Sequence, residues 1–335
     1  MLFLVIALGV IVNLRSIVSG VLFPAASRTR GGDLDLVETV VEDNRSRAKI
    51  ALVDVAGMIV GGQVDAGDSS PVNIVAAQLK RAEEDEAVRA VILRVDSPGG
   101  EVLASDEIAN SIREFQARSG KPVVAAMGGV AASGGYYVSV PCRWIVANSL
   151  TITGSIGVIM HGYNYRGLLD KLGVRPEVFK SGRFKDRLRG DKAELEIQPE
   201  ERRMIQTLID ETYAQFKRVV SDGRNDPARK SLAGAHPLAT NWTEYADGRV
   251  LSGRQALDLG FVDELGNFRS AVDRTRTLAQ LGAANLVEYR VRSAPFSLLR
   301  LLGQGEARRL TVDIGIDLPR LKLGHMYFLF LPGGS

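Results

Sequence analysis

The sequence predicts an α/β domain with largely parallel strands, and three observations carry that expectation. From Lys49 onward, short apolar runs of strand length alternate with amphipathic stretches of helix length. Ala90 to Val95 is almost continuously apolar, the pattern of a strand covered on both faces. The stretch from Val123 to Tyr137, Val-Val-Ala-Ala-Met-Gly-Gly-Val-Ala-Ala-Ser-Gly-Gly-Tyr-Tyr, reads as strand, glycine turn, serine and helix. That order presents one hydroxyl, that of Ser133, at the positive end of a helix, and its glycines let other backbone come close. Taken alone, the stretch is also compatible with a packing turn whose serine only caps the helix.

Before the domain, Leu2 to Phe23 is apolar and long enough to cross a bilayer. Asn13 and Arg15 fall near its middle, where an arginine costs about 2.5–3.5 kcal/mol on insertion scales. No basic segment precedes it, so it fits a cleaved signal peptide poorly. Residues 1–23 are read as a single membrane anchor, with a start further upstream as the alternative. Residues 24–48, with Pro24, Gly31-Gly32 and many charges, read as a linker.

The folded part is placed at residues 49–285. Ile50 to Val60 is a β-branched strand, and Asn73 to Glu86 a helix with Ile74, Ala77 and Leu79 toward the core. The Ala90–Val95 strand ends in Asp96-Ser97-Pro98-Gly99-Gly100. Leu103 to Arg118 is a helix with Ile108, Ile112 and Phe115 at helical spacing. The strand opened by Pro122 is broken at Gly128-Gly129 and leads to Ser133, with a helix-compatible segment from Tyr136 to Val140. Trp144–Ala147 is a short strand, Leu168–Leu172 a helix, and Arg175–Phe179 a strand. Pro199 starts a long helix to about Asp222, striped by Ile205, Leu208, Ile209 and Phe216. Phe261–Val262 reads as a strand and Arg269–Leu281 as a helix. Residues 286–335 form an extension of unassigned role, with a short helix at Phe296–Leu302 and an apolar strand or anchor-like patch at Met326–Leu331.

Composition narrows the function classes. Of 335 residues 45% are hydrophobic and 24% charged, which excludes a disordered chain. A net charge of +3, from 42 basic and 39 acidic residues, is too small and scattered for nucleic acid. One cysteine, Cys142, excludes an intrachain disulfide and a cysteine metal cluster and reads as a buried small side chain. His161, His236 and His325 have no metal-ligand spacing, so neither a metal nor a cofactor is expected. None of the three sits in a local motif, although spacing alone leaves a Ser-His-Asp triad open.

A serine nucleophile needs a base, because its hydroxyl is inert at its own pKa. Lys185 has the strongest claim, in a glycine-containing loop after a strand. A lysine acts as base only when neutral, and bringing an ammonium from about 10.4 to near 7–8 takes about 4 kcal/mol, supplied by burial in apolar surroundings. Ser155, in Thr-Gly-Ser-Ile-Gly, is placed to orient such an amine. An oxyanion needs backbone N–H donors free of secondary structure, and Gly99-Gly100 supplies a turn that can offer them.

Five ordered motifs, spread over roughly residues 48–285, resemble the signal peptide peptidase A family of membrane-anchored serine–lysine endopeptidases. They are Ile92-Leu-Arg-Val-Asp-Ser-Pro-Gly-Gly100, Gly129-Val-Ala-Ala-Ser-Gly-Gly-Tyr-Tyr137, Thr153-Gly-Ser-Ile-Gly-Val158, Ser181-Gly-Arg-Phe-Lys-Asp186 and Gly248-Arg-Val-Leu-Ser-Gly-Arg-Gln-Ala-Leu-Asp-Leu-Gly-Phe-Val-Asp263. The resemblance implies Ser133 as nucleophile, Lys185 as general base, Ser155 as its holder and the Gly100 N–H at the oxyanion. It implies a Clp protease/crotonase-like spiral of strand–strand–helix units behind an N-terminal apolar anchor helix, with the catalytic part extracytoplasmic. It further implies a homo-oligomeric ring with active sites built between neighbours, acting on cleaved signal peptides in the membrane and on unfolded polypeptides, without cofactor.

Two segments depart from the family pattern. Arg187-Leu-Arg-Gly-Asp-Lys192 brings a basic cluster beside Lys185, expected to favour its neutral form, and Lys230–Asp247 is long and polar. Two other readings share the fold: a crotonase-like acyl-thioester enzyme, which has no use for a serine–lysine pair, and a catalytically silent membrane scaffold, which has no reason to keep one. Tyr136 and Tyr137 read as packing residues.

Overall fold

The computed structural model describes residues 34–62, 70–187, 189–292 and 325–330. The anchor segment 1–23 and the helix expected at 296–302 lie outside the described residues. At the centre, β2 (Lys49–Ile59), β3 (Val88–Glu101), β4 (Val123–Ala132) and β5 (Trp144–Ala147) run parallel in that order, with β9 (Glu264–Leu265) beyond β5. On the other side β10 (Asn285–Val291) lies parallel to β2, and β1 (Leu36–Glu42) closes that edge antiparallel to β10. Part of the expected linker is therefore the edge strand, and part of the expected extension is a strand within the sheet.

The period-two alternation of these strands divides the core between two faces. Ala51, Val53, Leu93, Val95, Ala125 and Ile145 point to one face, and Ile50, Leu52, Ile92, Val124 and Trp144 to the other. The first face is covered by α1 (Pro71–Glu84) and α2 (Val102–Ser119), through residues such as Leu79, Ile108, Ile112 and Phe115. Ser70 caps α1 by accepting the Asn73 N–H, and Pro71 supplies a first-turn position that needs no donor. In α1 the buried residues are Val72, Val75, Leu79 and Ala82, so its core face is rotated slightly from the expected Ile74–Ala77 side. The second face is covered by α8 (Phe268–Leu278) through Ala271 and Val272.

β3 and β4 outrun their neighbours and bend, and this bend positions the site. Val95 faces Met127 but Ser97 faces Ala131, so Gly128, Gly129 and Val130 form a bulge opposite Asp96. Asp96 Oδ1 accepts the Val130 N–H at 3.0 Å, and a Cβ on Gly128 would meet the Asp96 Cγ at 2.9 Å. The glycine pair bends the strand instead of ending it. Beyond the bend, β4 pairs with β6 (Ile152–Gly154), which pairs antiparallel with β8 (Val250–Ser252). Gly99 and Gly100 likewise continue β3, against Met58 and Ile59 on one side and β11 (Met326–Leu329) on the other. β11 also pairs with β7 (Ile159–Met160).

Between β7 and β8 the chain carries α4 (Arg166–Lys171), α5 (Pro199–Arg224) and α6 (Pro227–Lys230). Residues 175–179 form no strand, because no neighbour offers ladder partners, and Phe179 is 89% exposed. α5 splits its apolar stripe: Phe216, Val219 and Val220 are buried, whereas Met204 and Leu208 stay exposed. Past β8, α7 (Gly253–Asp258) leads into a buried turn at Phe261–Val262, and the strand expected there comes later as β9. Asp263 then gathers buried charge. Its Oδ2 accepts the Ile145 N–H and Arg224 Nη1, both at 2.9 Å, and its Oδ1 accepts Arg224 Nη2 at 2.8 Å and Arg229 Nη2 at 2.5 Å. Burial pushes this carboxyl up, but the two guanidiniums outweigh it and hold the group below the usual carboxylate range.

Candidate active site

Ser133 joins β4 to the short helix α3 (Gly134–Ser139) in a backbone conformation few non-glycine residues adopt, φ 54° and ψ −115°. The residue is 1% exposed, and its hydroxyl is buried with no hydrogen-bond partner among the described residues. A buried hydroxyl without a partner costs free energy, which sets this one apart from an ordinary packing serine. Its backbone is pinned: the Ser133 N–H donates to Gly154 O at 2.8 Å, and the Tyr137 N–H donates to Ser133 O at 2.8 Å. α3 is only six residues long, so backbone geometry defines this turn more than a helix dipole does.

Glycines let two backbone segments meet beside Ser133. A Cβ on Gly134 would lie 2.6 Å from Ser105 Oγ and 3.0 Å from Gly99 Cα, and one on Gly135 would lie 2.5 Å from Ser97 O. Gly99 itself has φ 101°, and a Cβ there would fall 2.6 Å from Gly134 N and 2.0 Å from the carbonyl oxygen of Phe328. Ser97, fully buried, fixes this corner by accepting the Gly99 N–H at 3.0 Å while donating to Gly57 O at 2.6 Å. The Gly99-Gly100 segment, the Gly134 amide and the Phe328 carbonyl therefore converge.

Ser155 follows β6 as Ser133 follows β4. Ala132 and Gly154 are register partners, so the two serines come one residue later on adjacent strands. Ser155 is 7% exposed, takes φ 51°, and donates its N–H to Arg249 O at 2.8 Å. Arg249 is held by Asp247, whose carboxyl it lowers to about 2 through their hydrogen bond.

Lys185 is placed differently. It lies exposed in the loop after Ser181, its N–H donating to Gly182 O at 3.3 Å, and no described hydrogen bond joins its side chain to Ser133 or Ser155. The structure thus gathers Ser133, Ser155 and Gly100, while Lys185 is exposed and has no described hydrogen bond to any of them. Two members of the basic cluster after it are paired locally, Arg189 with Asp191 and Lys192 with Glu201 at 2.9 Å. No histidine hydrogen-bonds Ser133 among the described residues; His161 packs on Tyr163 and His325 lies 3.8 Å from Glu101. Tyr136 donates to Phe261 O at 3.0 Å and Tyr137 to Asp106 at 2.5 Å, and burial pushes both phenols up, consistent with packing roles.

Sequence reasoning missed the part played by β11. This strand lies between Gly99–Glu101 and Ile159–Met160, extended past the serine turn, with the Phe330 N–H donating to Pro98 O at 2.7 Å. Phe328 stacks on Tyr137 at 4.9 Å and packs on Phe216 at 4.6 Å. Beside it, Val102, Leu103, Asp106, Thr212 and Met326 line a cavity of about 550 Å³. Only the apolar character of Met326–Leu331 hinted at burial.

Comparison with known proteins bears on this geometry. The sequence profile described as Peptidase family S49 matches residues 115–282, and that of Clp protease matches residues 43–143. A provisionally named protease of Synechocystis sp. is 40% identical over 273 residues, 82% of this chain and 89% of that one. A provisionally named signal peptide peptidase of Enterococcus faecium is 36% identical over 77% of this chain and 72% of its own length. Protease 4 of Haemophilus influenzae is 35% identical over 69% of this chain, which spans 35% of that longer protein. Among solved structures, a mutant ClpP1 of Listeria monocytogenes aligns over 66% of this chain and 94% of its own, at 15% identity and a TM-score of 0.39. The chain belongs to peptidase family S49 and is a serine endopeptidase with a Clp protease-like α/β fold.

Proposed function

We propose that the chain hydrolyses peptide bonds with a Ser133–Lys185 dyad and that its substrates are extended polypeptides, cleaved signal peptides among them. The observation that carries this reading is the strained, buried, partnerless Ser133 hydroxyl beside a slot already filled by an extended segment, β11. A substrate strand in that slot would present its backbone carbonyl to the Gly99–Gly134 corner, where the Phe328 carbonyl now sits.

In this mechanism the neutral amine of Lys185 takes the Ser133 proton as Oγ attacks the scissile carbon. The N–H groups of Gly100 and Gly134 stabilise the oxyanion. Collapse breaks the C–N bond, the lysine ammonium protonates the leaving amine, and an acyl ester remains on Ser133. Water then attacks the ester with Lys185 again as base, releasing the carboxyl product and restoring the serine hydroxyl. Ser155 orients the amine.

Because Ser133 is buried and Lys185 exposed within one chain, the dyad is assigned to an assembly of copies, each lending its lysine arm to a neighbour's serine. The exposed Leu168, Leu172 and Phe179 of that arm, with Leu208 of α5, are the apolar surface such contact would cover. Residues 1–23 would tether the assembly to a membrane with the catalytic domain on the extracytoplasmic side. Among the described residues no helix is long and apolar enough to cross one.

The test is fluorophosphonate labelling of the assembled chain, with Ser133→Ala and Lys185→Ala beside it. Labelling that grows with pH and disappears in both variants supports the dyad; labelling that survives Lys185→Ala rejects it. The slot adds a second expectation. A chain ending at Arg292 lacks β11 and should cleave an unfolded peptide with a KM several-fold lower, about 1 kcal/mol of removed competition.

A further inference from the structure

We propose that Lys192, held by Glu201, positions the general base by gripping the carboxylate of Asp186, the residue next to Lys185. This inference rests on the Ser133–Lys185 reading. The connection is a chain of contacts. Lys192 Nζ bonds Glu201 Oε1 at 2.9 Å and Oε2 at 3.1 Å, and lies 3.5 Å from Asp186 Oδ1. Lys180 Nζ reaches the same Asp186 oxygen at 2.6 Å. The Lys180 and Lys192 ammoniums hold the Asp186 carboxyl below the usual carboxylate range.

Stability alone does not account for the pair. The side chains of Lys192 and Glu201 are 10% and 3% exposed, and a well-packed apolar pair can replace a buried ion pair with no loss of stability. What ions provide here is direction. Glu201 sits at the third position of the 26-residue helix α5, where the helix field favours a carboxylate, and its N–H donates to Gln198 O. The backbone beside Lys192 is tied down independently, since the Lys192 carbonyl accepts Asn164 Nδ2 at 3.1 Å and the Gly190 carbonyl accepts the Tyr165 N–H at 2.6 Å. An otherwise exposed loop thus gains a fixed point one residue from its reactive lysine.

The grip also governs charge. Asp186 Oδ1 is engaged by Lys180 and Lys192 rather than by Lys185. The other charged groups around this cluster are Arg183, Arg166, Arg189, Asp191 and Glu196. Arg189 is taken up by Asp191, Arg166 by Asp170, and Arg183 lies 4.0 Å from Glu200. None of these occupies Asp186.

The experiment uses the assembled full-length chain and reads kcat, KM, assembly state and the pH dependence of Ser133 acylation by a fluorophosphonate. Lys192→Met should slow acylation by about tenfold or more, with KM within about twofold and assembly intact. Because it takes one of the two cations away from Asp186 and leaves Lys180 alone on it, it should also move the acidic limb of the pH profile up by about half a unit or more, whereas Asp186→Asn should move it down. Lys192→Arg, which keeps the charge, should recover most of the lost rate. The inference is overturned if Lys192→Met acylates with the parent rate and limb while Lys185→Ala is inactive. It is equally overturned if the rate falls with no movement of the limb and no rescue by arginine. Parent-like acylation by Lys185→Ala would instead overturn the dyad reading on which it rests.

Discussion

At Ser133 a single residue holds both the strain and the unmet hydrogen bond of the site, and its neighbours are glycine because two backbones meet there. Gly134→Ala is expected to lower Ser133 acylation by about 10²-fold or more, since the new methyl would push the Gly134 amide from the Gly99 corner. Acylation at the parent rate in a folded Gly134→Ala enzyme would remove that amide from the oxyanion. These residues were legible in the sequence because a serine turn crowded by backbone requires small residues in unbroken succession. Ser155 was legible through its Thr-Gly-Ser turn. Lys185 was legible as a lysine in a loop but not as an exposed one, because its surroundings are not set by its own segment. Asp263 with Arg224 and Arg229 was not legible, since the partners come from distant elements and no local spacing marks them.

Among elements, the central strands and helices followed from apolar period and length, while the bend of β3 and β4 did not. A Gly-Gly pair in a strand signals a break or a bulge equally well, and the choice was made by Asp96 on the neighbouring strand. The Asp263 clamp ties the end of α5 to β5, and Asp263→Asn should destabilise the fold by about 3–5 kcal/mol by leaving two buried guanidiniums uncompensated. Its pH signature has a definite sign. The folded carboxyl lies below its unfolded value of about 3.9, so its contribution is complete above that value and is lost as pH falls through the lower, folded one. Urea midpoints measured from pH 6 down to pH 2 should therefore drop more steeply for the parent than for Asp263→Asn. Parallel curves would show that the carboxylate contributes no pH-linked stability.

For the whole molecule, the exposed apolar side chains between β7 and the middle of α5 are the feature least explained by one chain. Periodicity put Leu208 on one α5 stripe with Phe216, yet only Phe216 is buried, and nothing in the sequence says whether such a stripe meets its own core or another copy. Phe179→Asp and Leu172→Asp, both at exposed positions, should leave the far-UV circular dichroism and melting of the chain unchanged while reducing assembly and hydrolysis together. Full assembly and activity in both variants would place the contact elsewhere. Part of the same arm carries Lys185, so the claim that one copy completes another's active site can be tested without knowing the natural substrate. Co-expressed Ser133→Ala and Lys185→Ala chains, each inactive alone, should together regain fluorophosphonate labelling, confined to the chain that retains Ser133. Mixed assemblies that form but remain unlabelled would contradict a dyad shared between neighbours.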